Sequence, residues 1–281
     1  MAVRVIVAVL VAASLWPARA DARPAVYGGS MGPTGSVLGP DAFFVTADPA
    51  TRRLTGLGAT YIAGCLNGVS TPVTLRVTRV TPAASPAGDV PANTLATSGN
   101  AGGRFAGTIV HPTADGGRVE IQVEGRLRAR RAAGTIRSLV FSPAGAQTCD
   151  TGSHSWRATR RPGRIFAGSL PGTGTVVLTR QGADDMRFHT TVSTTACEPG
   201  QPWLVPNIVI TAFDIRRGRF DRPVEDTLAG DSASVVYDIT GRISRSRASG
   251  WFTGRITRLD ADRRPLWTCF IVTTRWSAAS G

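Results

Sequence analysis

The sequence predicts an all-β chain: two tandem antiparallel β-sandwich or β-barrel-like modules, each with one disulfide. Three observations predict it. Glycine and proline are abundant, at 32 and 18 residues, and long helix-forming runs are absent, which favours short strands joined by tight turns. Several stretches alternate apolar and polar residues. Finally, one series of phrases occurs twice in the same order.

The alternation is clearest in Val119-Glu120-Ile121-Gln122-Val123-Glu124, the pattern of a strand with one wet face. Leu75 to Val80 nearly repeats it, and Phe188, Thr190 and Val192 share a face of another candidate strand. Asn207 to Ile215 and Ser234 to Thr240 are further candidates. Turn residues recur at the rhythm of a sandwich or barrel.

The duplication rests on three matches. Residues 27–37 read YGGSMGPTGSV and residues 166–176 read FAGSLPGTGTV. Gly125-Arg126-Leu127 precedes Arg131-Ala132-Ala133-Gly134, and Gly241-Arg242-Ile243 precedes Arg247-Ala248-Ser249-Gly250; the outer glycines are nine apart in both. Cys149 stands seven positions before Trp156, and Cys269 seven before Trp276. Three agreements in one order mark an internal repeat. Residues 23–160 form the expected first module and 161–281 the second, with the join near Arg160-Arg161-Pro162-Gly163. The first copy is longer: Cys65 to Cys149 spans 84 positions and Cys197 to Cys269 spans 72. Thr81 to Gly88 reads as a surface loop within that extra length.

Residues 1–22 read as a signal peptide. Arg4 supplies the positive start, Val5 to Leu15 the apolar run, and Ala18-Arg19-Ala20 and Ala20-Asp21-Ala22 the small-residue cleavage patterns. No integral membrane segment is expected after signal cleavage, so the mature chain is expected to be secreted or periplasmic. In that oxidising compartment four cysteines imply two disulfides. Counting leaves three pairings open. If each copy folds as a unit, Cys65 pairs with Cys149 and Cys197 with Cys269; exchange of elements between copies would cross them.

The net charge is +13 and all 32 basic residues are arginine. Complete exclusion of lysine, beside many Ala, Gly and Pro, is the mark of GC-rich coding rather than of a nucleic-acid site. Nucleic acid is therefore not an expected partner.

The phrase Gly134-Thr135-Ile136-Arg137, followed by Cys149-Asp150-Thr151-Gly152-Ser153-His154-Ser155-Trp156-Arg157-Ala158, resembles the end of small exported disulfide-bonded β-modules of unknown function from GC-rich bacteria. The resemblance covers the C-terminal third of each copy. In the second, Phe270-Ile271-Val272 replaces Asp-Thr-Gly after the cysteine. It implies architecture and export, and no activity.

Several motifs suggest chemistry and fail on context. Gly28-Gly29-Ser30-Met31-Gly32 matches the hydrolase pattern G-x-S-x-G, but that serine needs a strand-to-helix turn; a turn or strand edge is expected here. Leu170-Pro171-Gly172-Thr173-Gly174 matches a cell-wall sorting signal but lies far from the C-terminus and reads as a turn. His111, His154 and His189 have no metal-ligand spacing. Asp184-Asp185 and Glu225-Asp226 are adjacent acids, whereas glycosidases need two carboxylates across a sugar. No catalytic residue, cofactor or metal is expected.

Two features point to binding. Trp203, within Pro202-Trp203-Leu204-Val205-Pro206, has no counterpart in the first copy. Arginine clusters at Arg126, Arg128, Arg130 and Arg131, at Arg157 to Arg164, at Arg216 to Arg219, and at Arg242 and Arg245 suggest rows that hold acid groups bidentately. Charge protection of edge strands is the plainer reading. The leading expectation is a non-catalytic exported module contacting an anionic polysaccharide or other envelope component. A purely structural envelope protein and a hydrolase with an unrecognised site are the alternatives.

Overall fold

The computed structural model describes residues 23–32, 40–64, 70–82, 94–113, 116–171, 174–182, 185–192, 196–198, 207–228 and 233–281. The expected signal peptide, Cys65, most of the expected 81–88 loop and Trp203 lie outside these. The described residues are all-β and form two nearly closed, barrel-like sheets.

The first sheet comprises β1 (Ala25–Met31), β2 (Asp41–Ala47), β3 (Leu54–Gly64), β4 (Ser70–Val77), β5 (Arg79–Pro82), β6 (Thr94–Ala101), β7 (Arg104–Pro112), β8 (Arg118–Leu127), β9 (Arg131–Phe141), β10 (Gln147–Asp150) and β11 (His154–Thr159). Its order is β4-β3-β2-β1-β11-β9-β8-β7-β6-β5, with β10 also on β9. The second comprises β12 (Ile165–Leu170), β13 (Gly174–Arg180), β14 (Asp185–Val192), β15 (Ala196–Glu198), β16 (Asn207–Asp214), β17 (Arg219–Leu228), β18 (Ala233–Ile243), β19 (Arg247–Leu259) and β20 (Pro265–Ala279). Its order is β16-β14-β13-β12-β20-β19-β18-β17, with β15 on β20. The two paths correspond strand for strand from β4 or β16 to β7 or β17, so the repeated phrases sit at equivalent places.

The first sheet carries two extra strands, β5 and β6, paired parallel. The candidate strand Leu75–Val80 is therefore split: it leaves β3 at Val77 and resumes on β6 at Arg79. Asn100 of β6 then closes the barrel by imitating a strand, its amide accepting from Leu54 N–H at 2.8 Å and donating to Leu54 C=O at 3.0 Å. The second sheet closes more simply. Arg216 and Arg219 exchange backbone hydrogen bonds across a tight turn in which Arg217 and Gly218 have φ of 51° and 74°. That is the left-handed pair a two-residue hairpin demands.

The glycines nine apart lie directly opposite one another, Gly125 on Gly134 and Gly241 on Gly250. Both positions must be glycine. A Cβ on Gly250 would stand 1.8 Å from Thr240 O, and one on Gly241 2.6 Å from Trp276 Cζ2. The repeated tryptophan fills the space left inside each barrel. Trp156 and Trp276 are 1% and 0% exposed, packed against Phe43 and Phe105 in one core and Phe188 and Phe220 in the other.

The cysteine-to-tryptophan stretch differs between copies. In the second it is one strand, β20, with a register shift opposite Phe252 and Gly254. In the first, Asp150-Thr151-Gly152 breaks it into β10 and β11: Asp150 Oδ1 accepts from Gly152 N–H at 2.9 Å, and Gly152 has φ 67°. Cys197 on β15 opposes Cys269 on β20 and is bonded to it. Cys149 is also disulfide-bonded; Cys65, the partner expected from the repeat, lies outside the described residues.

The sheets pack on each other through a small apolar cluster of Val26, Ala42, Phe44, Ile165, Ala167 and Val177. Ala42 N–H donates to Thr191 Oγ1 at 2.7 Å, and Thr60 and Thr175 hydroxyls share a bond at 3.1 Å. This contact explains why β14 is buried on both faces rather than on the Phe188–Thr190–Val192 face alone.

Candidate functional site: a duplicated arginine cleft

The G-x-S-x-G match forms β1, hydrogen-bonded to β2 on one side and β11 on the other. It is an interior strand, neither edge nor strand-to-helix turn. Leu170 pairs with Gly174 across the β12–β13 hairpin. His189 Nε2 lies 3.1 Å from Pro40 O and His154 Nε2 2.9 Å from Thr151 O, while His111 lies on β7 opposite Val119. Asp185 opens β14 and Glu225 and Asp226 belong to β17. No histidine lines either cleft described next.

A cleft of about 930 Å³ lies over the paired glycines of the second sheet. Strand register places its outer-face residues in two cross-strand rows. One row runs Asp221, Thr240, Trp251, Arg275 and the other Arg219, Arg242, Ser249, Ser277. Trp251 is 53% exposed although it belongs to a strand. Its side chain faces outward because its neighbours Gly250 and Phe252 face the barrel interior, and alternation admits no other placement.

A second cleft, of about 590 Å³, occupies the equivalent place on the first sheet. The cross-strand rows that pass through it run Ala106, Glu124, Thr135, Ser155 and Arg104, Arg126, Ala133, Arg157; the cleft itself ends at Ala133 and Gly134, short of Thr135, Ser155 and Arg157. Arg104 opposes Arg126 as Arg219 opposes Arg242. Like charges directly opposite on a sheet face have Cβ atoms about 5 Å apart and destabilise it. Among the described residues the ion pairs are Arg118–Glu120 and Arg137–Asp150, and neither reaches these arginines. Each copy therefore sets two exposed arginines directly opposite one another on the outer face, with no acid in ion-pair contact with either among the described residues.

Of the arginines expected in binding, Arg126 and Arg242 lie in these pairs. Arg128 and Arg245 lie in the turns that follow β8 and β18, where Arg128 N–H donates to Arg131 C=O and Ser244 N–H to Arg247 C=O. The arginine rows thus run across strands instead of along one. Trp203 lies outside the described residues. Sequence reading named Arg219 within the 216–219 cluster but missed Arg104, Trp251 and Arg275. A fourth repeated phrase carried the signal for Arg104, as the counterpart of Arg219: Gly103-Arg104-Phe105 recurs as Gly218-Arg219-Phe220. Trp251 directly follows the repeated Gly250.

No protein-family model and no curated protein matches the chain. Among solved structures it is similar to a chain from Bacteroides fragilis described as a "putative outer membrane protein". The two share 9% identity over 92% of this chain and 97% of that one, with a TM-score of 0.26. At that score the likeness carries no argument, and the functional reading rests on this chain's own residues.

Proposed function

We propose that the protein is an exported, non-catalytic module whose arginine clefts hold an anionic envelope polymer, an acidic glycan foremost. The supporting observation is the opposed arginine pair, Arg104–Arg126 and Arg219–Arg242, built at the same point of both copies. An anion between two guanidinium groups turns their repulsion into paired charge-assisted hydrogen bonds. Edge protection accounts poorly for Arg104, Arg126 and Arg242, because β7, β8 and β18 are interior strands; Arg219 alone is on a strand, β17, that ends its sheet's path. Export is supported by the N-terminal sequence and by the use of cysteines in disulfides.

Equilibrium binding to polygalacturonate at low ionic strength, with neutral dextran as control, tests this reading. Arg104→Ser/Arg126→Ser/Arg219→Ser/Arg242→Ser is expected to weaken binding at least tenfold. Removing four exposed arginines elsewhere (Arg53, Arg79, Arg161 and Arg264) is expected to weaken it far less. Wild-type binding no stronger than to dextran would sink the proposal.

A further inference from the structure

The two clefts share the arginine pair but differ in what surrounds it. In the first, Thr135 stands where Trp251 stands in the second, Ser155 where Arg275 stands, and Glu124 where Thr240 stands. Glu124 sits two positions from Arg126 on the same face and accepts a hydrogen bond from Thr135 Oγ1 at 3.0 Å. In the second copy Thr240 takes that position and the acid stands instead at Asp221, two positions from Arg219 on the same face, so each cleft keeps one carboxylate beside its pair. What sets the second apart is the broad, exposed aromatic face of Trp251, one row from Arg242.

We infer that the second cleft is the ligand site and that it takes an acidic sugar chain, one ring stacked on Trp251 and a carboxylate or sulfate held by Arg219 and Arg242. This rests on the anionic-polymer reading above and narrows it to one copy and one chemistry. Trp251 has Arg275 as its cross-strand neighbour on β20 and Thr240 on β18, with Arg242 diagonal to it and Arg219 one strand beyond. Diagonal neighbours on a sheet are about 7–8 Å apart and strands about 4.8 Å apart, a span of two to three sugar units in an extended glycan. The Trp251 backbone is pinned from beneath, since its carbonyl accepts the indole N–H of Trp276. That bond fixes the backbone from which the indole projects.

Single-stranded nucleic acid also stacks on aromatics and pairs with arginine. The lone platform decides against it: one exposed tryptophan suits one stacked sugar, whereas a strand of bases is served by a run of aromatics. Asp221, opposite Thr240 in the tryptophan's own row, offers an acceptor for sugar hydroxyls.

The experiment compares polygalacturonate, long-chain polyphosphate and an oligothymidylate on the wild type, Trp251→Ala, Trp251→Phe and, in the first cleft, Arg126→Ser. Trp251→Ala is expected to weaken polygalacturonate at least tenfold and to leave polyphosphate within threefold. Trp251→Phe should keep polygalacturonate within about threefold, and Arg126→Ser should weaken it clearly less than Trp251→Ala does. If Trp251→Ala binds polygalacturonate like the wild type, or if Arg126→Ser costs as much as Trp251→Ala, the inference fails while the anionic-polymer reading stands. Tighter wild-type binding to oligothymidylate than to polygalacturonate overturns it in favour of nucleic acid. Absence of binding to all three probes removes both.

Discussion

The indole N–H of buried Trp276 donates to the backbone carbonyl of exposed Trp251 at 3.3 Å, and Trp156 makes the same bond to Thr135 at 3.2 Å. One tryptophan thus anchors the strand that presents the other. The bond ties the core of the second barrel to its outer face, and it requires the facing glycines, because any side chain at Gly241 or Gly250 would occupy the indole's place or strike the neighbouring strand.

Gly250→Ala is accordingly expected to cost roughly 1–3 kcal/mol, the usual range for overpacking a core, read as a shift of the urea midpoint. Gly99→Ala is the control: nothing lies within 4 Å of an added Cβ there, and the change should stay within about 0.5 kcal/mol. Equal effects at the two positions would contradict the clamp.

The two barrels are expected to unfold together. At Gly28 an added Cβ would come within 2.8 Å of Val177 Cγ1 and 2.9 Å of Ile165 Cγ2, so Gly28→Val wedges the sheets apart. Calorimetry should show one transition for the wild type and two for the variant. A single transition at the wild-type temperature in Gly28→Val would mean that the contact does not couple them.

Replacing Cys197 and Cys269 by alanine is expected to cost about 2–5 kcal/mol, the range seen on losing a native disulfide from a small secreted domain. Non-reducing peptide mapping should recover the Cys197–Cys269 peptide pair, and Cys149 linked to Cys65.

Asp150 makes the acid side of stability distinctive. The hydrogen bonds from Arg137 and from Gly152 N–H, with the Arg137 charge, hold its carboxyl down at about 2. Because this pKa lies below the unfolded value, the contribution is whole above about pH 4 and is lost as pH falls through about 2. Asp150→Asn should flatten the pH dependence of the urea midpoint across that window and leave its slope at neutral pH unchanged. An unaltered acid limb would show that the pair contributes nothing.

The fold was legible because the repeat constrains it: a glycine pair nine apart, a cysteine and a tryptophan seven apart fix a hairpin and its neighbouring strand in both copies. What escaped was register across strands. Arg126, Arg219 and Arg242 stood out as members of sequence clusters, but the two members of each pair lie more than 20 positions apart in sequence, and only pairing brings them together. Trp251 was overshadowed by Trp203, whose Pro-flanked setting drew attention to a loop. A tryptophan beside a repeated glycine instead reports the outward face of a strand. The split of Leu75–Val80 escaped for a related reason, since alternation continues through a change of pairing partner.

The arginine pairs are the centre of this account, and thermal melting of Arg219→Thr with and without polygalacturonate at low salt tests them most directly. Relief of the repulsion with Arg242 should make the ligand-free variant as stable as the wild type or slightly more so, by about 0.2–1 kcal/mol, while the ligand-induced rise in melting temperature shrinks. A ligand-free variant that melts lower, with an undiminished rise on adding polygalacturonate, would show that Arg219 serves the fold and not a ligand.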